Sequence, residues 1–349
     1  MPTLHEYLGL PNPELDRTTL RPGTNTLPVG TYEIEGVQPW DDFTLETVLN
    51  CFGDILRRDF EAKDLHYPPP LPQHHRRLTD ESCVESILKK HNHTIIDRAL
   101  ELAQSRLEGR GLHLPISMSW GSLADVQEDR RLRPDWAGTV HCGVPPYENR
   151  VSGDTKSSSK WSSAMKDSAS VSIQEEYWKP LRQLLLYCVR VNTRYGYIIS
   201  DAEALFFRRT KSQEPPTSLS ASRARRQPPS THNRVTSLTS VVSGTSAMSF
   251  DSSGSPYTDA GNPDINEAPL EIAIIPWANA GTAELTINLG VWFIHILATS
   301  DISVEESYHP LGSWRRIKDV KGHWCFQQEG SRRVSQTLPE SGVLIEAAP

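Results

Sequence analysis

Residues 134–156, PDWAGTVHCGVPPYENRVSGDTK, decide the fold of this chain. A strand that leaves Asp135, breaks at a Gly-Val-Pro-Pro turn and returns to Lys156 is typical of a β-hairpin. Such a hairpin brings Asp135 close to Asp154. Because side chains alternate between the faces of a strand, we expect Asp154 and Lys156 on one face and the side chain of Thr155 on the other.

The overall composition limits the classes of function. The 349 residues are 37% hydrophobic and carry a formal net charge of -7, which argues against a basic coat that binds nucleic acid over the whole surface. Five scattered cysteines without a CxxC pair support neither a disulfide framework nor a zinc knuckle. The chain starts without a secretion signal and contains no stretch of about 18 apolar residues. We therefore expect an intracellular protein of the nucleus or cytoplasm without a membrane partner.

Changes in composition divide the chain into regions. Residues 1–80 are expected to form an N-terminal segment with one amphipathic helix, within 41–60, and a proline-rich linker. Residues 81–300 are expected to form the folded domain. Within it, the Ser-, Thr-, Pro- and Arg-rich stretch 211–268 is predicted to be a disordered insertion. Residues 301–349 are expected to be a mostly irregular tail.

The spacing of apolar residues in the central region predicts helix, three strands, helix and strand, in that order. A capping box at 82–85 predicts the start of the first helix, and Gly109 its end. A strand at 112–120 and the hairpin follow, then a helix at 173–195 and a strand at 197–200. Further elements are expected at 204–209 (strand), 270–277 (strand) and 285–299 (helix). The prediction is an α/β fold with a mixed sheet flanked by helices.

Pro134-Asp135 and Asp154-Thr155-Lys156, placed in this α-β-β-β-α-β order, resemble the motif of the PD-(D/E)XK nuclease superfamily. The chain also resembles fungal proteins that carry such a domain. The resemblance covers roughly residues 82–300. It implies a restriction endonuclease-like core and hydrolysis of phosphodiester bonds in DNA or RNA.

The resemblance also implies roles for the motif residues. Asp135, Asp154 and the carbonyl of Thr155 would bind Mg²⁺ or Mn²⁺, hard cations that prefer oxygen ligands. Lys156 would orient or deprotonate the attacking water and offset charge on the phosphate.

A carboxylate on the first helix often completes such sites in this superfamily. Glu85 is the nearest candidate for a further metal ligand, with Glu81 and Glu101 as substitutes. A capping box with Ser82 offers an alternative explanation of Glu85.

Three other residues are candidates for binding the substrate. Gln183 and Tyr187 lie four residues apart on a predicted helix face and resemble the QxxxY motif of RecB-like exonucleases. Lys160 follows the motif lysine in a serine-rich loop and would contact a phosphate. The alternatives are that Gln183 is a solvated surface residue, Tyr187 a core aromatic and the loop a flexible polar connection.

Two interpretations compete with a nuclease. In the first, Asp135 is a turn residue after Pro134, and residues 154–156 are a solvated strand end. In the second, the nuclease fold is present without catalysis and serves as an interaction or regulatory module, because a fold does not determine a function.

Overall fold

The framework of the molecule is a seven-stranded sheet. In the computed structural model, the described residues are 1–26, 32–109, 115–124, 133–140, 144–211, 269–300, 302–328, 334–335 and 344–345. The strands of the sheet are β1 (Val37–Pro39), β2 (Ile116–Trp120), β3 (Trp136–Val140), β4 (Glu148–Lys156), β5 (Tyr195–Ser200), β6 (Glu203–Arg208) and β7 (Leu270–Pro276). They lie in the order β1-β7-β6-β5-β4-β3-β2. The sheet is mixed, because β4–β5 and β1–β7 are parallel whereas the other neighbours are antiparallel.

Helices cover both faces of this sheet. They are α1 (Leu4–Leu8), α2 (Leu45–Leu56), α3 (Gln73–Arg76), α4 (Glu81–Lys90), α5 (Asn92–Gly109), α6 (Val171–Arg190) and α7 (Ile287–Leu297). The alternation of β5 explains the two cores: Tyr197 and Ile199 pack with residues of α2, α5 and α7, whereas Ile198 packs with α6. This arrangement confirms the prediction of an α/β fold with a mixed sheet flanked by helices. No helix of the described residues is both long and apolar enough to cross a membrane.

The N-terminal segment contributes to the main core. Leu4, Tyr7 and Leu8 of α1 are buried there, and Thr286 Oγ1, at the start of α7, donates a hydrogen bond to the carbonyl of Leu8 at 2.8 Å. Besides the predicted helix, which is α2, the first 80 residues contain the short helices α1 and α3. The described residues all belong to one compact unit.

The first helix of the central region differs from its prediction in two respects. It is divided into α4 and α5, which are separated by His91. Its N-cap is Asp80, whose carboxylate accepts hydrogen bonds from the backbone N–H groups of Ser82 at 3.0 Å and Cys83 at 3.3 Å. The prediction of a capping box at 82–85 was therefore wrong, because Asp80 already satisfies the donors at this helix end.

The remaining boundaries differ in smaller ways. Helix α6 ends at Arg190 and Tyr195 already belongs to β5, so the predicted helix at 173–195 was too long. The C-terminal region includes a second sheet, in the order β10-β9-β8-β11, formed by β8 (Trp314–Lys318), β9 (Trp324–Gln328), β10 (Val334–Ser335) and β11 (Leu344–Ile345). Of the predicted disordered insertion, residues 212–268 lie outside the described residues.

Candidate active site

The antiparallel strands β3 and β4 bring the two motif aspartates together. Trp136 pairs with Gly153, so the residues next to this pair, Asp135 and Asp154, lie opposite each other at the end of the ladder. Trp136 packs into the core on the α5 and α7 side. Because side chains alternate, the aspartates lie on the opposite face, which α6 covers.

Asp135 is held by the strand opposite. The backbone N–H of Thr155 donates a hydrogen bond of 2.8 Å to Asp135 Oδ2. Burial and the neighbouring Asp154 carboxylate raise the pKa of Asp135 to about 8, and the hydrogen bond from Thr155 offsets only part of this rise. Two neighbouring buried carboxylates favour a state in which they share a proton or a positive charge.

Lys156 supplies a positive charge from the same strand. Its Nζ atom lies 2.6 Å from Asp154 Oδ2 and 3.8 Å from Glu81 Oε1, and its side chain is only 7% exposed. Burial lowers the pKa of Lys156, but Asp154 and Glu81 together outweigh burial, so the pKa lies above its ordinary value. Lys156 is therefore an ammonium at neutral pH.

The side chain of Asp154 is buried and pairs with Lys156. Lys156 Nζ lies 2.6 Å from Asp154 Oδ2, and no other described residue donates a hydrogen bond to this oxygen. The side chain of Thr155 points to the other face of the sheet, where Thr155 Oγ1 accepts a hydrogen bond from Trp136 Nε1 at 2.8 Å. This orientation is the one that strand alternation predicts.

Glu81, in the first turn of α4, lies close to two lysines, Lys156 and Lys160. Its Oε1 atom lies 3.8 Å from Lys156 Nζ and its Oε2 atom 3.2 Å from Lys160 Nζ. Glu81 therefore bridges the two lysines. The structure thus brings Lys160 to the site through Glu81.

The other two candidate carboxylates pair elsewhere. Glu85 lies 2.5 Å from Lys89 one turn along α4, and Glu101 lies 2.6 Å from Arg98 on α5. The structure therefore does not bring Glu85, the predicted metal ligand, into contact with the motif lysine. Glu81, the first residue of α4 after the N-cap Asp80, lies near this lysine instead.

Gln183 and Tyr187 form a pair on α6 that faces the aspartates. Gln183 Nε2 donates a hydrogen bond to Tyr187 Oη at 2.7 Å. Burial, followed by the nearby Asp154 carboxylate, raises the pKa of Tyr187 to about 12. The side chains of Gln183 and Tyr187 are thus hydrogen-bonded to each other. Tyr187 is both a buried core residue and a neighbour of Asp154.

Two glycines that the sequence analysis did not single out allow this close arrangement. A Cβ atom on Gly121 would lie 1.7 Å from the carbonyl oxygen of Pro134, and the Gly121 N–H donates to the Asp135 carbonyl at 3.1 Å. A Cβ atom on Gly153 would lie 2.3 Å from the ring of Tyr197. A side chain at either position would overlap these neighbours unless they moved. For Gly153, which lies within β4, a glycine inside a strand is the sequence signal for such an approach.

The donor set suits a hard cation only if backbone or water oxygens complete it. In the described part of the chain, no group of three or more His, Cys, Asp or Glu residues is placed to hold a metal ion. Asp135 and Asp154 offer two carboxylates, of which Asp154 also pairs with Lys156. A cation with several water ligands, such as Mg²⁺, is compatible with that number.

Comparisons of the chain with protein-family models, with curated proteins and with solved structures give no match. The chemistry of the site therefore carries the functional argument.

Proposed function

We propose that this protein is a metal-dependent nuclease of the PD-(D/E)XK type, which hydrolyses phosphodiester bonds of DNA or RNA. The observation that carries the proposal is the meeting of Asp135, Asp154 and Lys156 at the ends of two neighbouring strands. Two carboxylates and an ammonium so placed provide oxygen ligands for a cation and a positive charge for a phosphate.

The surrounding elements support the same proposal. The chain order α5, β2, β3, β4, α6, β5 is the α-β-β-β-α-β order that the motif requires. The motif residues lie on β4 and immediately before β3, and the Gln183–Tyr187 pair lies on the helix that follows. A short motif gains weight when it lies in the expected structural context.

The residues present fit a divalent cation. Asp135 and Asp154 would hold it, with the Thr155 carbonyl as a further ligand, because burial beside another carboxylate raises the pKa of Asp135 and a cation between the two carboxylates would offset their repulsion. When bound, Mg²⁺ or Mn²⁺ lowers the pKa of a coordinated water and neutralises phosphate charge.

Lys156 acts as a charged donor in this proposal. Its raised pKa means that it remains protonated, which favours stabilisation of phosphate charge over removal of a proton from water. Glu81 and Asp154 hold its ammonium group in place. Tyr187, fixed by Gln183, closes the site from the α6 side.

The test is cleavage of single- and double-stranded DNA and RNA by the purified chain with Mg²⁺, Mn²⁺ or a chelator. We expect metal-dependent cleavage that is lost in Asp154→Asn and Lys156→Ala. The matched pair Glu81→Gln and Glu85→Gln compares two carboxylates of one helix, and only the first should reduce the rate.

Three outcomes would contradict the proposal. Equal activity of the wild type and both site variants would indicate a contaminating enzyme. Metal-independent cleavage would exclude the chemistry described. Absence of cleavage with every substrate and metal would favour the alternative, a domain of the same fold that acts as an interaction module.

A further inference from the structure

A segment far from the motif in sequence lies against the loop that follows Lys156. We call residues 16–25 the strap. Its start is fixed by backbone hydrogen bonds, because the Asp16 N–H donates to the Arg76 carbonyl at 2.9 Å and the Leu78 N–H donates to the Asp16 carbonyl at 2.8 Å. The strap therefore begins beside the residues that lead into α4, the helix of Glu81.

Asp201 connects Arg17 of the strap to Ser158, a residue of the loop that follows Lys156. Asp201 is fully buried, and its Oδ1 and Oδ2 atoms accept hydrogen bonds from the Ser158 N–H at 2.6 Å and the Ser158 hydroxyl at 2.7 Å. Arg17 Nε donates to Asp201 Oδ2 at 2.7 Å. A buried carboxylate is stable only with such partners, so Arg17 helps to hold Ser158.

The next two residues of the loop contact the strap directly. The Ser159 hydroxyl donates to the Arg21 carbonyl at 2.7 Å, and Asn25 Nδ2 donates to the Lys160 carbonyl at 2.9 Å. The Asn25 N–H also donates to Glu176 Oε2 at 2.7 Å, which anchors the end of the strap to α6. Three consecutive residues, 158–160, are therefore held by one segment or its partner.

Gly23 lies against the aliphatic part of Lys160. A Cβ atom on Gly23 would be 3.0 Å from Lys160 Cε and 3.4 Å from its Cγ. The strap thus restricts the side chain of Lys160 as well as its backbone. Lys160 Nζ is held on its other side by Glu81 at 3.2 Å.

Of the two lysines on Glu81, only Lys160 is accessible to a large ligand. Its side chain is 30% exposed, compared with 7% for Lys156. A partly exposed lysine whose side chain is already held can bind a phosphate of a nucleic-acid backbone, whereas a freely moving lysine loses more conformational entropy on binding.

We propose that the strap positions Lys160 to contact a backbone phosphate of the nucleic-acid substrate, next to the phosphate that is cleaved. This inference rests on the proposed function and assigns positioning roles to Arg17, Gly23 and Asn25. Lys160 takes part in binding, and the strap acts through it.

The test compares Asn25→Ala and Gly23→Ala with Lys160→Ala. Gly23→Ala removes no hydrogen-bonding group of the strap, and its added methyl group presses on the Lys160 side chain, so it remains informative if Asn25→Ala folds poorly. Asn12→Ala is the control: it is an asparagine of the same N-terminal region, but it contacts Trp277 and Asn92 instead of the loop. The measurements are cleavage kinetics, binding of labelled DNA and RNA at several salt concentrations, and hydrogen exchange of the loop amides.

We expect both strap variants to raise KM about tenfold and to leave kcat within about twofold of the wild-type value, as Lys160→Ala does. The salt slope, which is the slope of log K for binding against the logarithm of the salt concentration, should fall in magnitude by about one in all three variants. Combined with Lys160→Ala, neither strap variant should weaken binding further, because each acts through that lysine. Asn25→Ala should also speed hydrogen exchange at residues 158–161, and Asn12→Ala should leave all these quantities unchanged.

The outcomes separate this inference from the proposed function. The role of the strap would be overturned if both strap variants kept the KM and the salt slope of the wild type. It would also be overturned if their effects added to that of Lys160→Ala. In either case the wild type would still cleave nucleic acid, so the proposed function would stand. A wild type that binds nucleic acid through Lys160 and the strap but cleaves none would overturn the nuclease and retain the strap. A wild type that neither binds nor cleaves would overturn both.

Discussion

The backbone N–H of Thr155 donates a 2.8 Å hydrogen bond to Asp135 Oδ2, so the strand that carries Asp154 and Lys156 also orients the aspartate of the neighbouring strand. The two halves of the motif are therefore coupled without any ligand. One consequence is electrostatic, because Asp135 and Asp154 share a buried space in which the pKa of Asp135 is raised to about 8.

The first prediction is that Asp135→Asn stabilises the metal-free protein in a pH-dependent manner. Folding raises the pKa of Asp135 from about 4 to about 8, so the folded chain binds the proton more tightly than the unfolded chain. The contribution of this group to stability is fully present below about pH 4 and is lost as the pH rises to about 8. Asparagine resembles the protonated acid and avoids this loss.

We therefore expect the free energy of unfolding of Asp135→Asn to exceed that of the wild type by an amount that grows to a few kcal/mol between about pH 4 and about pH 8. Urea unfolding in the presence of a chelator measures it. A difference that is independent of pH would show that Asp135 ionises normally in the folded protein.

The second prediction concerns metal binding without catalysis. Mg²⁺ or Mn²⁺ should raise the melting temperature of the wild type, since a ligand at one hundred times its Kd adds about 2.7 kcal/mol to the stability of the folded state. Asp154→Asn should abolish the shift, and Glu85→Gln should retain it because that carboxylate pairs with Lys89. An equal shift in all three proteins would place the cation elsewhere.

The third prediction tests the close packing beside Asp154. Gly153→Ala should destabilise the protein by about 1–3 kcal/mol, because its Cβ would overlap the Tyr197 ring at 2.3 Å and force the ring or β4 to move. Gly36→Ala is the matched control, since among the described residues only its chain neighbours come within 4 Å of its Cβ position. Urea unfolding compares the two, and equal costs would mean that the ring moves aside freely.

Much of the fold is readable from the sequence because strands and helices carry strong periodic signals. The Gly-Val-Pro-Pro turn between two strand-like segments within 134–156 predicts the hairpin, and helix α6 follows from leucines spaced by three and four residues. The division between α4 and α5 has no such signal. His91 lies between two helical patterns in the same apolar register, and its ring forms a 3.2 Å hydrogen bond with the carbonyl of the distant Pro11.

Only part of the candidate site can be predicted from the sequence, because local periodicity places residues of one strand but not residues of distant segments. Residues on one strand have a fixed relation, so the placing of Asp154, Thr155 and Lys156 relative to each other follows from alternation. Contacts between segments that are distant in sequence do not follow from strand alternation. The choice of Glu81 over Glu85 depends on the docking angle of α4, and no sequence spacing relates Arg17 to the loop after the motif.

The last prediction concerns the buried ion pair of Lys156 with Asp154. Removing the lysine in Lys156→Met leaves the Asp154 carboxylate without its counter-charge in a buried site, which typically costs about 3–5 kcal/mol. Lys89→Met is the matched control, because its pair with Glu85 is more than 30% exposed on both sides and should contribute no more than about 1 kcal/mol.

The double variant Lys156→Met with Asp154→Asn should recover much of that loss, because it removes the unpaired charge together with its partner. Chemical unfolding of the single and double variants at neutral pH gives the coupling energy directly. A double variant as unstable as the sum of its parts would mean that the lysine contributes through packing of its methylene groups rather than through its charge.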